Sequence, residues 1–150
     1  MFRSILVGYD GSPHAERALQ EAVAIAQADH AGLTVMTVVK GPPLHGVGSL
    51  GYGGPALALA EAELERDCAR ALDAAVDALP DDLPVTKVLA RGRAGPALVQ
   101  RAREAGHDLV VVGSRGRGTA ASLVLGSVSS YLLHHLPGAA LVVHSEPVAA

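Results

Sequence analysis

Two clusters of small residues carry the chemistry this chain can do. The apolar run Val110-Val111-Val112 leads into Gly113-Ser114-Arg115-Gly116-Arg117-Gly118, and ten positions after Gly116 the chain reads Gly126-Ser127-Val128-Ser129-Ser130. Glycine at 113, 116 and 126 admits positive φ and lets a ligand reach the backbone with no Cβ in the way. Bare N–H groups between the end of a strand and the start of a helix make a concave anion site. Ser127 and Ser129 add hydroxyls there. Ser114, Arg115 and Arg117 lie in the same loop, where a guanidinium can grip phosphate oxygens in pairs; the alternative for both arginines is a loop cation that meets only water. The ligand this chemistry suits is a phosphate chain.

A second candidate lies near the start of the chain. Ile5-Leu6-Val7 ends in Gly8-Tyr9-Asp10-Gly11-Ser12-Pro13. A carboxylate on Asp10, at the end of a strand, can accept ribose hydroxyls or help hold Mg²⁺ beside phosphates. The structural alternative is an Asx turn or a helix cap. Ser12 and Pro13 already make a good N-cap and first helical residue, which favours the functional reading.

The first motif resembles the ATP-binding motif of the universal stress protein family: Gly113-x2-Gly116-x9-Gly126-Ser127. The opening Ile5 to Ser12 resembles that family's first strand and aspartate turn, and Gly138-Ala139-Ala140-Leu141-Val142-Val143 its last strand. The resemblance covers nearly the whole chain, as a single-domain, ATP-binding member would. It implies that Gly113, Gly116, Gly126, Ser127, Val128 and Ser129 occupy phosphate- and ribose-binding positions, and that Val38 offers its backbone to the adenine edge. It also implies a sheet order of 3-2-1-4-5 with the last strand at an edge. One departure is Gly92-Arg93-Ala94, where the family commonly has Gly-x-Pro; the proline here is Pro96.

The elements that must position these residues follow from periodicity. Phe2–Tyr9 reads as a strand buried on both faces. A helix follows with Ala15, Ala18, Leu19, Ala22, Val23 and Ala26 on one side, capped near Ala31-Gly32 by the glycine. Leu33–Val39 is a second strand. Ala56–Leu79 is a long amphipathic helix whose inward stripe is Leu57, Ala60, Leu64, Cys68, Ala71, Ala75 and Leu79. Val85–Ala90, a helix over Gly95–Ala105, the strand Leu109–Val112, a helix from about Gly126 to Leu136 and the strand Ala140–His144 complete the alternation. Strands alternating with helices predict an α/β fold. It is an open five-stranded parallel sheet, Rossmann-like, with helices on both faces. Ligands of such sheets bind outside the carboxyl ends of the strands, where the order reverses.

Composition narrows the class. The chain has 150 residues, enough for one domain over 1–150 with a real core, and is 49% hydrophobic with 3% aromatic. Net charge is −3 with no block of Lys or Arg, so no nucleic-acid footprint is expected. No apolar run approaches the length of a membrane span. The expectation is a soluble, cytoplasmic protein. Cys68 stands alone and reads as a small hydrophobe. Residues 41–55, rich in Gly and Pro, read either as a linker or as a cover in which His45 and Tyr52 fold over a nucleotide.

Catalysis finds less support. There is no Gly-Lys-Ser/Thr of a Walker A loop and no dinucleotide Gly-x-Gly-x-x-Gly. Adjacent His134 and His135 point about 100° apart on a helix. No nucleophile has a base beside it, although slow hydrolysis needs little beyond placed charges. Three readings follow. In one, an ATP- and Mg²⁺-binding stress or signalling protein changes its dimer or partner state with nucleotide. In another, an interaction module of the same fold has an empty pocket. The third is a slow ATP hydrolase. The resemblance places the apolar strand Ala140–His144 at the sheet edge, where an exposed edge tends to pair with a second copy into a homodimer; the alternative is that the tail Ser145–Ala150 folds back over it.

Overall fold

The computed structural model describes residues 1–41, 54–115 and 126–144. In chain order the elements are β1 (Ser4–Gly8), α1 (Pro13–Asp29), β2 (Gly32–Val39), α2 (Gly54–Asp77), β3 (Val85–Arg91), α3 (Ala94–Ala105), β4 (Leu109–Gly113), α4 (Ser127–His135) and β5 (Ala139–Val143). Every pairing is parallel and the order is β3-β2-β1-β4-β5. From β1 the chain builds outward through β2 to β3, then returns to β1's other side for β4 and β5. The reversal falls between β1 and β4.

The two-residue period of β1 divides the core. Ile5 and Val7 join Ala18, Leu19, Ala22 and Ala26 of α1 and Leu72 of α2 on one face. Leu6 joins Met36, Leu98, Val99, Ala102 and Leu132 on the other, beneath α3 and α4. Ile5, Leu6 and Val7 are wholly removed from solvent, each contributing about 1.5–3 kcal/mol of burial. This is why β1 is apolar without alternation.

Two expectations need correcting. The C-cap of α1 is His30, at φ 54° and ψ 41°, with its N–H on the Ala26 carbonyl; Gly32 instead opens β2. Histidine is among the few non-glycine residues that adopt this left-handed geometry with any frequency. The inward stripe of α2 is also only half inward. Leu72 is the single buried residue of that helix, while Leu57 and Leu64 are 47% and 43% exposed. A 24-residue helix runs about 36 Å, whereas the eight residues of β2 span about 26 Å. The first turns of α2 therefore have no sheet beneath them.

Candidate functional site

The strand registers bring the predicted residues to one rim. Gly8 pairs with Met36 across β1 and β2, Val7 with Val111 across β1 and β4, and Gly113 with Val143 across β4 and β5. Continued by two or three residues, this register sets Val38, Asp10 and Ser114 level on three neighbouring strands, spanning about 10 Å at the usual strand spacing. Tyr9 extends β1 in this way: its N–H bonds the Met36 carbonyl at 2.9 Å, and the Thr37 hydroxyl donates to its carbonyl at 2.8 Å. Val38 is half-buried and faces Ala90 of β3.

Asp10 lies just past the end of β1 and is exposed. Its Oδ1 accepts the Ser12 N–H at 2.9 Å, so the Asx turn is formed. Gly11 takes φ 78°, a geometry glycine adopts without Cβ strain. Ser12 is buried, and its hydroxyl accepts the Ala15 N–H at 3.2 Å. Helix α1 thus starts as the sequence predicts, and its start fixes the aspartate turn.

The glycine loop does its work differently from the expectation. Neither Gly113 nor Gly126 has a positive φ. A Cβ on Gly113 would lie 2.7 Å from the backbone carbon of His14 and 2.9 Å from its carbonyl oxygen. Glycine stands there so that the first turn of α1 can sit on the end of β4. Ser114 is 2% exposed. Its N–H donates to the Val143 carbonyl at 2.8 Å, and its carbonyl accepts the Gly126 N–H at 2.9 Å. Its hydroxyl meets His14 Nδ1 at 3.0 Å. The amides of Ser114 and Gly126 are therefore already used.

The donors that remain belong to the start of α4. Gly126 is its N-cap and supplies no side-chain bond. The first intrahelical bond runs from the Ser130 N–H to the Gly126 carbonyl. The N–H groups of Ser127, Val128 and Ser129 lie before that bond and have no intrahelical acceptor, and the positive end of the helix dipole adds to them. Ser127 is exposed and Val128 half-buried. Ser129 is 1% exposed, and its hydroxyl donates to the Gly113 carbonyl at 3.2 Å, so this hydroxyl braces the loop. Arg115 is half-buried beside them. Gly116, Arg117, His45 and Tyr52 lie outside the described residues.

The rim can therefore hold an anion at the head of α4, beside Arg115, with the Asp10 turn at the end of the neighbouring strand β1. No sequence signal singled out His14. It stands two residues after the N-cap in an ordinary helical first turn, and its partner lies a hundred positions away.

Comparison with known proteins agrees with this fold. The profile of the universal stress protein family matches residues 1–144. A universal stress protein of Thermus aquaticus is 34% identical over 149 residues, 95% of this chain and 99% of its own length. The chain spans about two-fifths of the length of the mycobacterial universal stress proteins it matches. Among solved structures, the universal stress protein UspA from Lactobacillus plantarum superposes with a TM-score of 0.77 at 29% identity, covering 95% of this chain and 97% of that one. A universal stress protein in complex with cAMP superposes at 0.61 and 29% identity, covering 97% and 98%.

Proposed function

Because this chain belongs to the universal stress protein family, we propose that it binds ATP with Mg²⁺ in the crevice between β1 and β4, and that bound nucleotide sets its association with itself or with another protein. The observation that carries this reading is that the start of α4 has no side-chain cap and follows β4, the strand beside β1 where the strand order reverses. A phosphate chain would lie on the N–H groups of Ser127, Val128 and Ser129 and against Arg115. The glycine loop from Gly113 through Gly116 to Gly126 would be its cradle. The level backbone of Val38 would face the adenine. The cAMP complex of a 29% identical relative supports the adenine part of this ligand.

Asp10 fits the metal. One carboxylate at the rim suits Mg²⁺, which keeps most of its waters and takes its remaining oxygens from the phosphates. In this reading residues 1–150 form one nucleotide-binding domain that acts in the cytoplasm. No helix among the described residues is long and apolar enough to cross a membrane. Two copies pair through β5, where Ala139 to Val142 are half-buried in the lone chain and an unpaired apolar edge favours association.

Melting curves test the site. At a hundredfold excess over the dissociation constant, Mg-ATP adds about 2.7 kcal/mol, a rise of about 5–10 °C for a chain of this size. Unchanged melting in millimolar Mg-ATP would count against the proposal. Identification of the nucleotide released from purified, denatured protein separates an ATP binder from an interaction module with an empty pocket.

A further inference from the structure

We propose that His14 is the positioning residue that locks the aspartate turn to the glycine loop, so that the metal side and the phosphate side of the nucleotide site are set as one unit. This rests on the reading of the site just given. Three observations converge on one junction. The His14 Nδ1 lies 3.0 Å from the Ser114 hydroxyl. Ser114 is 2% exposed and also bonds β5 through its N–H and the N-cap of α4 through its carbonyl. Gly113 has no room for a Cβ because the His14 backbone and Cβ occupy that space.

The consequence follows from connectivity. His14 is the second residue of α1 and follows directly on the Asp10-Gly11-Ser12 turn, whose geometry the Ser12 cap fixes. Ser114 precedes Arg115 and holds Gly126, from which the free amides of α4 extend. A shift of α1 relative to β4 would move Asp10 away from those amides. The imidazole bond opposes this shift with a directed contact, while the Gly113 packing opposes it only sterically. Either ring tautomer serves, because a hydroxyl both donates and accepts.

The test is a set of variants assayed for ATP affinity by calorimetry in Mg²⁺, with melting temperature followed in parallel. His14→Ala should weaken ATP binding by about tenfold, which is about 1.4 kcal/mol and within the usual range for coupled neighbours. Ser114→Ala should do the same, and the double variant should bind no more weakly than either single one. His14→Asn places an amide atom where Nδ1 stands and should recover most of the affinity. His14→Gln reaches too far and should not. A purely structural role would move melting temperature without separating Asn from Gln in affinity.

Additive losses, an Asn variant as weak as Ala, or His14→Ala with wild-type affinity would each overturn this role while leaving the nucleotide site standing. Wild-type protein that binds no nucleotide would overturn the site itself and this role with it. Should the alanine variants not fold, the contrast between Asn and Gln decides the question.

Discussion

The Nδ1 of His107 lies 2.7 Å from the hydroxyl of Ser4, 103 positions away in sequence, and joins the start of β1 to the segment entering β4. Asp108 tightens the same junction. Its Oδ2 and Oδ1 accept the N–H groups of Arg3 and Ser4 at 2.9 and 3.1 Å, and its own N–H bonds the Ser4 carbonyl at 2.9 Å. This is the end of the sheet opposite the carboxyl ends of the strands.

Stability should fall in mild acid through this junction. Burial first, then the Arg101 cation, holds His107 below its ordinary pKa of 6.5, against a weaker upward pull from Asp108. Its Nε2 is enclosed with no hydrogen-bond partner among the described residues. The unfolded chain therefore binds a proton that the folded chain resists. This contribution is fully present above 6.5 and is lost as pH falls from 6.5 toward the lowered folded value. Urea midpoints near about pH 7.5 and about pH 5.5 should diverge in the wild type and converge in His107→Gln. The same drop in both proteins would dismiss the idea.

A separate loss is expected at lower pH. Burial pushes the Asp108 carboxyl up, but the hydrogen bonds from Arg3 and Ser4 outweigh it and leave the group below 3.8. Its contribution is present above 3.8 and disappears as pH falls through the lowered value. Asp108→Asn should flatten the acid limb of a stability profile below about pH 4 without changing the limb near neutrality. A variant with an unaltered acid limb would assign that limb elsewhere.

The two described glycines of the loop should respond differently to alanine. At Gly113 the new Cβ meets His14 backbone atoms at 2.7–2.9 Å, and overpacking of this kind costs about 1–3 kcal/mol. At Gly126 the nearest atom is the Ser114 carbonyl oxygen at 3.0 Å and the next lies at 3.6 Å, so a small shift suffices. Gly113→Ala should thus melt well below Gly126→Ala. Gly126→Val should lose ATP affinity while keeping its circular dichroism spectrum. A Gly126→Val protein with unchanged affinity would reduce that glycine to a helix start.

The β5 edge needs a backbone probe. Val142 packs against the cluster around Leu6 and Val110, so Lys at that position would test the fold and not the interface. The Val143 carbonyl points to β4, where it accepts the Ser114 N–H. By the two-residue alternation of a strand, the backbone groups of Ala140 face outward. Ala140→Pro removes an outward donor, which edge strands tolerate. It should convert a dimer to a folded monomer by light scattering. A dimer that survives the proline does not pair through this strand.

Helix α2 should be anchored at one end. Leu72→Ala removes a side chain that is 3% exposed and should cost about 2–5 kcal/mol. Leu57→Ala should stay within about 0.5 kcal/mol of wild type. Comparable losses at both positions, read from urea denaturation, would contradict the burial pattern.

Much of this was legible in the sequence for definite reasons. β1 and β4 are apolar throughout because both faces are covered, and Ser12-Pro13 announces α1 by local chemistry. The sheet order came with the resemblance, because alternation of elements does not say on which side β4 returns. The α2 stripe misled because periodicity names the apolar side of a helix but not how much of its length has a sheet beneath it. The glycines place a turn after β4, but they do not tell which of its amides are spent. Whether the N–H groups of Ser114 and Gly126 are spent depends on Val143 and on the Ser114 carbonyl, contacts that follow no local spacing. His14 was invisible for the same reason.

The overhang of α2 has a kinetic consequence. Its first turns share almost no buried side chains with the sheet, so they can unwind without disturbing Leu72 or the strands. Openings that small need far less free energy than global unfolding. In deuterated solvent the amides before the Glu65–Arg91 ion pair, from about Leu59 to Glu63, should exchange early, while those near Leu72 should wait for the whole molecule to open. The sheet would then keep one long-lived core beside a helix that frays and reforms at the end nearest the carboxyl ends of the strands.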